Sequence, residues 1–204
     1  MERHGAISVA RLRHRPSKQV LQAARKAQNL SQAGDYERAA SEWEKVVAAD
    51  PEFSEAHGNL GAQYVHLRRP SEAAAEFQRA IALDPATAQH QTNLAVVLGL
   101  LGRQEEAEVW ARHAVQLDDS SALGHYVLGC LLVSGPARLA EGVQQLQIAA
   151  RLLPKAHETL AAVYHALGKE ELAREERKQY GEAESAGSPQ QTEAWSSALQ
   201  PRAN

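Results

Sequence analysis

The chain repeats itself every 34 residues. Ala39, Ala73 and Ala107 form one column at this spacing, and Leu60, Leu94 and Leu128 form a second. Trp43 and Phe77 stand the same distance apart. Asp50-Pro51 returns as Asp84-Pro85, with Asp118-Asp119 at the next step. Several independent columns agree, which chance does not explain. A fixed period of this length restricts the chain to an architecture that stacks one supersecondary unit on the next.

Each period holds two helical patterns. In the segment His57 to Tyr64 and on to Leu67, Leu60, Tyr64 and Leu67 fall at i, i+4 and i+7, one face of a helix. Arg68-Arg69-Pro70-Ser71 reads as the turn, with Pro70 ending the first helix and Ser71 expected as the N-cap of the second. Ala73, Phe77, Ala80 and Ile81 give the second helix its apolar stripe. Asp84-Pro85 closes it, because proline disfavours helical backbone at the residue before it. Two antiparallel helices approach closely only where one side chain is small. Gly61 and Ala73 are expected to supply that space, with Tyr64 and Phe77 filling in beside them. One pair cannot bury its apolar face alone, so neighbouring pairs must stack.

The pattern Leu60-Gly61-x-x-Tyr64, Ala73-x-x-x-Phe77, Pro85 resembles the tetratricopeptide repeat, of the bacterial scaffold type. The third period reads Leu94, Ala95, Leu98, Ala107, Ala111 and Ala114; the fourth reads Leu128, Gly129, Leu132, Gly142, Leu146, Ala149 and Pro154. The fourth needs one inserted residue, placed in the turn Gly135-Pro136-Ala137. The first is degenerate in its opening helix, with Ala27 and Leu30 followed by Gly34, Ala39, Trp43, Val46 and Pro51. A closing pair runs through Leu160, Ala161, Tyr164, Leu167, Gly168, Ala173 and Tyr180. Its register starts three residues early, which is expected to shorten the preceding connection. The resemblance implies an all-α, right-handed superhelical solenoid of antiparallel helix pairs. Its repeats lie near 20–53, 54–87, 88–121 and 122–154, with a capping pair at 155–180.

The flanks differ in kind. Residues 1–18 form a basic segment carrying Arg11, Arg13, His14 and Arg15, with Ile7 and Val9 hinting at a short strand. This segment looks like the junction that follows a regulatory-like β-domain in some bacterial repeat proteins. Residues 181–204 are rich in Ser, Gln, Pro and Ala and are expected to be disordered, with Trp195 alone among them. The charged run from Lys169 to Lys178 supplies the polar outer face that a solenoid cap needs.

Composition narrows the function classes. The 44% apolar content supports a core, and the net charge of −3 argues against a dedicated nucleic-acid binder. No apolar run is long enough for a membrane span, and Ala6 to Ala10 is too short for a signal-peptide core. The sequence as written therefore predicts a cytoplasmic protein, or an exported one if the chain is part of a longer precursor. One cysteine, Cys130, excludes an intramolecular disulfide and Cys-rich zinc spacing. His157-Glu158 begins like a zinc-protease motif, but Ala161 stands where the second histidine is required. No phosphate-binding loop is present, and Asn29-Leu30-Ser31 matches a glycosylation sequon within a predicted helix. Neither an enzyme nor a cofactor or metal site is expected.

The resemblance implies a partner surface. In the family, the first helix of each repeat lines a concave face. With Leu60 as position 7, position 6 holds Asn59 and Asn93. In some relatives such asparagines pair with a ligand's peptide backbone, and an amide carries both the donor and the acceptor this requires. Position 9 holds Gln28, Ala62, Val96 and Cys130, with Ala162 in the closing pair. Position 13 holds Gln32, His66, Leu100 and Ser134, and Tyr126 is at position 5 of the fourth repeat. These predict a groove with an apolar floor and an amide ladder, open to an extended peptide from a protein partner; the alternative is that some are buried by neighbouring repeats. Chaperone-binding relatives clamp a C-terminal carboxylate with lysine at position 5 and asparagine at position 9. Position 5 here holds Ala24, Gly58, Thr92 and Tyr126, and position 9 has no asparagine, so no such clamp is expected. Self-association as an assembly module remains an open alternative.

Overall fold

The computed structural model describes residues 14–185, and among these no strand occurs. The helices are α1 (Lys18–Gln32), α2 (Tyr36–Ala49), α3 (Ser54–His66), α4 (Pro70–Leu83), α5 (Ala88–Leu100), α6 (Gln104–Leu117), α7 (Ala122–Val133), α8 (Leu139–Ala150), α9 (Lys155–Ala166) and α10 (Glu170–Ser185). Consecutive helices pack as pairs, giving an all-α helical-repeat solenoid. The expected strand around Ile7 and Val9, and Trp195, lie outside the described residues. Helix α10 continues to Ser185, and residues 186–204 of the expected tail lie outside the described residues. The chain divides into two compact units, Met1–Val97 and Leu98–Asn204.

In the first unit the packing follows the small–large logic of the repeat. A Cβ placed on Gly61 would stand 2.9 Å from Cε1 of Phe77, so the aromatic ring occupies the space the glycine leaves. Phe77 is fully buried with Ala73 and Ala80 of its own helix. Burying a ring of this size contributes about 1.5–3 kcal/mol. Trp43, Val46 and Ala39 bury the corresponding stripe of α2.

The turns inside the pairs share one device. Gly34 closes α1 with φ 77°, Gly102 closes α5 with φ 77° and Gly168 closes α9 with φ 69°. In each, the next residue's N–H reaches back to a carbonyl in the last turn: Asp35 to Leu30, Arg103 to Leu98 and Lys169 to Tyr164. At the equivalent place after α3 stands Arg68, φ 56°, with Arg69 N–H donating to the Tyr64 carbonyl. Here α4 starts at Pro70, with Arg69 as the residue before its first turn, and Ser71 is not its cap. Proline fits the first helical position because its fixed φ suits the helix and no N–H is needed there.

The turns between pairs are also built alike. Asp50, Asp84 and Asp118 end α2, α4 and α6 in extended backbone, with φ −145°, −137° and −140°. Asp118 adopts this geometry without a following proline. Its carboxylate takes the Ser120 N–H and hydroxyl, as the Asp84 carboxylate takes the Ala86 N–H and the Thr87 hydroxyl. A side chain six residues downstream then secures each turn. His57 Nε2 donates to the Pro51 carbonyl (3.1 Å), Gln91 Nε2 to the Pro85 carbonyl (3.0 Å) and His125 Nε2 to the Asp119 carbonyl (3.0 Å). The histidines also reach the following helix: His57 Nδ1 lies 2.7 Å from Glu76 and His125 Nδ1 2.6 Å from Gln145.

In the second unit the inserted residue of the fourth repeat is accommodated by a 3₁₀ turn, Pro136–Arg138, directly before α8. A charge cluster secures it. Arg112 of α6 forks onto Glu141 of α8 (2.5 and 2.9 Å) and also reaches Glu108, which pairs with Arg138 of the 3₁₀ turn. The connection before the closing pair is not shortened. Residues 151–154 link α8 to α9, matching 50–53, 84–87 and 118–121 in length, and the early register is absorbed by α8, 12 residues against 14 in α2, α4 and α6. A core of Tyr126, Cys130, Leu146, Ala149, Leu160, Tyr164 and Ala173 joins α7 to α10. Gly129 lies against Leu146, where a Cβ would come within 2.7 Å of its side chain.

Candidate interaction surface

The first helices of the repeats carry the predicted contact positions, and the two units present them differently. In the first unit Gln28 is exposed on α1, while Asn59, Ala62 and His66 are half-buried along α3. The side-chain amide of Asn59 has no hydrogen-bonding partner among the described residues, so its donor and acceptor are both available. Its own carbonyl, by contrast, is taken by Gln63 Nε2 at 3.2 Å.

His66 is fixed by a neighbour that sequence reasoning missed. Tyr36, at the start of α2, stacks on its ring with centroids 4.0 Å apart and planes within 2°. Partial burial lowers the His66 imidazole below its ordinary value, which favours the neutral ring in this stack. No periodic column marks Tyr36, because it belongs to a second helix and its contact crosses to the next repeat. Beside it, Arg69 lies over the face of Tyr64, 4.4 Å from the ring centre. The Tyr64 hydroxyl donates to Glu44 at 2.9 Å. Burial and this carboxylate push the Tyr64 phenol up to about 12, so it remains a donor at all ordinary pH.

On α5, Asn93 is 7% exposed and Val96 is 1% exposed. The two asparagines occupy equivalent repeat positions, yet only Asn59 presents a substantial surface. Gly58 explains how closely the two helices lie: a methyl there would stand 2.4 Å from the ring of His90 on α5.

In the second unit Leu100 is 40% exposed, whereas Tyr126 is 3% and Cys130 7% exposed. Tyr126 and Cys130 therefore act as core, not as an open floor. The Tyr126 hydroxyl is within 3.3 Å of Thr159 Oγ1 on α9, and burial raises its phenol well above the usual range. Burial also pushes the Cys130 thiol up to about 12, which keeps it un-ionised. Ala162, at position 9 of the closing pair, is exposed. His157, which begins the zinc-protease-like motif, has a carboxylate partner, its Nδ1 lying 2.6 Å from Glu176; His165 Nδ1 likewise lies 2.6 Å from Glu170. Among the described residues no group of three or more ligating side chains could hold a metal ion. No described helix is long and apolar enough to cross a membrane.

Stacked antiparallel pairs with a 34-residue period, glycine-closed turns and first helices bearing polar surface define a helical-repeat protein. Residues 24–85 and 63–122 match the family model of the tetratricopeptide repeat. The chain belongs to the tetratricopeptide repeat family. A sequence search of curated proteins found no match. Among solved structures, it is similar to PilW, described as a widely conserved type IV pilus biogenesis factor, with 19% identity, a TM-score of 0.75, and 83% of this chain and 80% of that one covered. It is similar to MamA from Desulfovibrio magneticus RS-1, with 19% identity, a TM-score of 0.70, and 85% and 99% covered. YrrB, described as a TPR protein with an unusual peptide-binding site, matches at 20% identity and a TM-score of 0.61, over 81% and 86% of the two chains. At these identities the likeness concerns the fold.

Proposed function

We propose that this protein is an interaction scaffold that holds an extended segment of a partner protein on the first-helix face of its N-terminal unit. The observation that carries this reading is the Asn59 amide, half-buried and without a hydrogen-bonding partner among the described residues, beside the small Ala62 on the same helix. A primary amide pairs with one peptide unit through one donor and one acceptor, and so grips a backbone whatever its side chains are. Gln28 on α1 offers a second exposed amide one repeat away, while Asn93 contributes through the small surface it retains. Burying the apolar part of such a surface adds affinity in a groove.

No cationic anchor for a chain terminus is part of this proposal. Ala24 and Gly58, at the positions that would supply it, are buried and uncharged. Recognition therefore rests on backbone and apolar contacts along a segment.

Binding to an array of short extended peptides tests the proposal. Replacing Asn59 and Asn93 together by alanine is expected to weaken binding about tenfold, the loss of about 1.4 kcal/mol, with helical content unchanged. Free and amidated C-termini are expected to bind alike. Unchanged affinity in the double variant, or dependence on a free carboxylate, would overturn the proposal.

A further inference from the structure

His90 has a chemistry that the packing role of its position does not require. The equivalent residue of the preceding repeat is Ala56, and those of the following ones are Gly124 and Ala156. Here an imidazole occupies the place, buried between α3 and α5, with its ring against the bare Cα of Gly58. Ser54 Oγ donates to the Ala80 carbonyl at 3.0 Å, which leaves it free to accept from His90 Nε2 at 3.3 Å. The proton therefore sits on Nε2. Nδ1 then carries a lone pair, and this atom is fully buried with no hydrogen-bonding partner among the described residues. An unsatisfied buried acceptor of this kind is an exception that calls for an explanation.

We propose that His90 is an acid-sensitive spacer between the two helices that carry Asn59 and Asn93. A proton added at Nδ1 creates a buried donor with nothing to receive it and a charge in an apolar seam. The charged groups facing the ring are Glu55 of α3 and Asp84 at the end of α4; α5 itself brings none. To reach either carboxylate the imidazolium must leave the niche at Gly58, and α5 then shifts against α3. The spacing of the two asparagines changes with it. The effect on binding rests on the peptide-holding reading given above; the shift itself does not.

Burial lowers the His90 imidazole below its ordinary value of 6.5, while Asp84 and Glu55 act the other way. An unfolded chain takes up this proton near 6.5, and the folded chain takes it up only at lower pH. The contribution of His90 to stability is thus complete above 6.5 and is lost as the pH falls below it.

The test uses the full chain and needs no ligand. Ring signals of His90 and side-chain amide signals of Asn59 and Asn93 are followed by NMR from pH 7.5 to pH 5. The His90 midpoint is expected below 6.5, with both amides moving at the same midpoint. His90→Ala removes the ring but leaves a void. His90→Ala combined with Gly58→Ala partly refills it, because the three atoms nearest to a methyl on Gly58 all belong to the ring. In the double variant the amide movements are expected to vanish. The wild-type melting midpoint is expected to drop by about 2–4 °C more than that of the double variant over the same range. A His90 midpoint at or above 6.5, static asparagine amides, or movements that persist without His90 would overturn the proposal. Peptide binding that is independent of pH despite moving amides would count against the groove and leave the spacer standing.

Discussion

Phe77 fills the space that Gly61 leaves empty: a Cβ on the glycine would stand 2.9 Å from the ring. Gly61→Ala gains about 1 kcal/mol of helix propensity but forces a fully buried ring to move, at a cost of about 1–3 kcal/mol. A net loss of stability is expected in denaturant unfolding. Phe77→Leu in the same chain should recover part of it, since the shorter side chain withdraws from the added methyl.

Arg68 stands in left-handed backbone where the neighbouring repeats have Gly34 and Gly102. That conformation costs a residue with a Cβ about 1–2 kcal/mol, and glycine loses part of the gain through its freer unfolded chain. Arg68→Gly is expected to raise the melting midpoint by about 1–4 °C. A lower midpoint would show that the exposed guanidinium stabilises the turn.

His57 joins the Pro51 carbonyl to Glu76, tying an inter-repeat turn to the helix beyond it. Gln91 makes the same turn contact one repeat later. His57→Gln should therefore retain the turn contact and cost about 1 kcal/mol or less, while His57→Ala should cost about 1–3 kcal/mol. Equal losses for the two variants would mean that the Glu76 contact carries the whole effect.

Arg112 pairs with both Glu108 and Glu141, and Glu108 also holds Arg138 of the 3₁₀ turn. Arg112→Ala is expected to cost about 1–2 kcal/mol, and more than removal of the exposed Arg103–Glu106 pair. The Arg112 guanidinium holds the Glu141 carboxyl below the usual carboxylate range. Its contribution is therefore present at neutral pH and lost as the pH falls through that lowered value. The stability difference between wild type and Arg112→Ala should narrow in acid.

Cys130 is buried, and its thiol is pushed up to about 12. Alkylation of the native protein at pH 8 is expected to run at least about a hundredfold slower than that of the unfolded chain, since only thiolate reacts. Comparable rates would show that α7 opens readily.

The sequence by itself determined the unit and its period. The columns at Ala39, Leu60 and Trp43, the Asp-Pro turns and the pairing of Gly61 with Phe77 follow from helical spacing and side-chain size, which are local properties. It also located the odd residue of the fourth repeat, where the 3₁₀ turn lies. It did not separate Asn59 from Asn93. A period states which positions are equivalent, but exposure depends on which side chains the neighbouring helices bring against each one. The same limit applies to Tyr126 and Cys130, predicted for a groove floor and found in the core of their unit. Tyr36 against His66, the carbonyl contacts of His57 and Gln91, and the unpartnered nitrogen of His90 were decided only by tertiary structure. Each depends on residues 6 to 36 apart; His57, Gln91 and His125 share one column, but the period does not state which carbonyl such a side chain reaches or what packs around it.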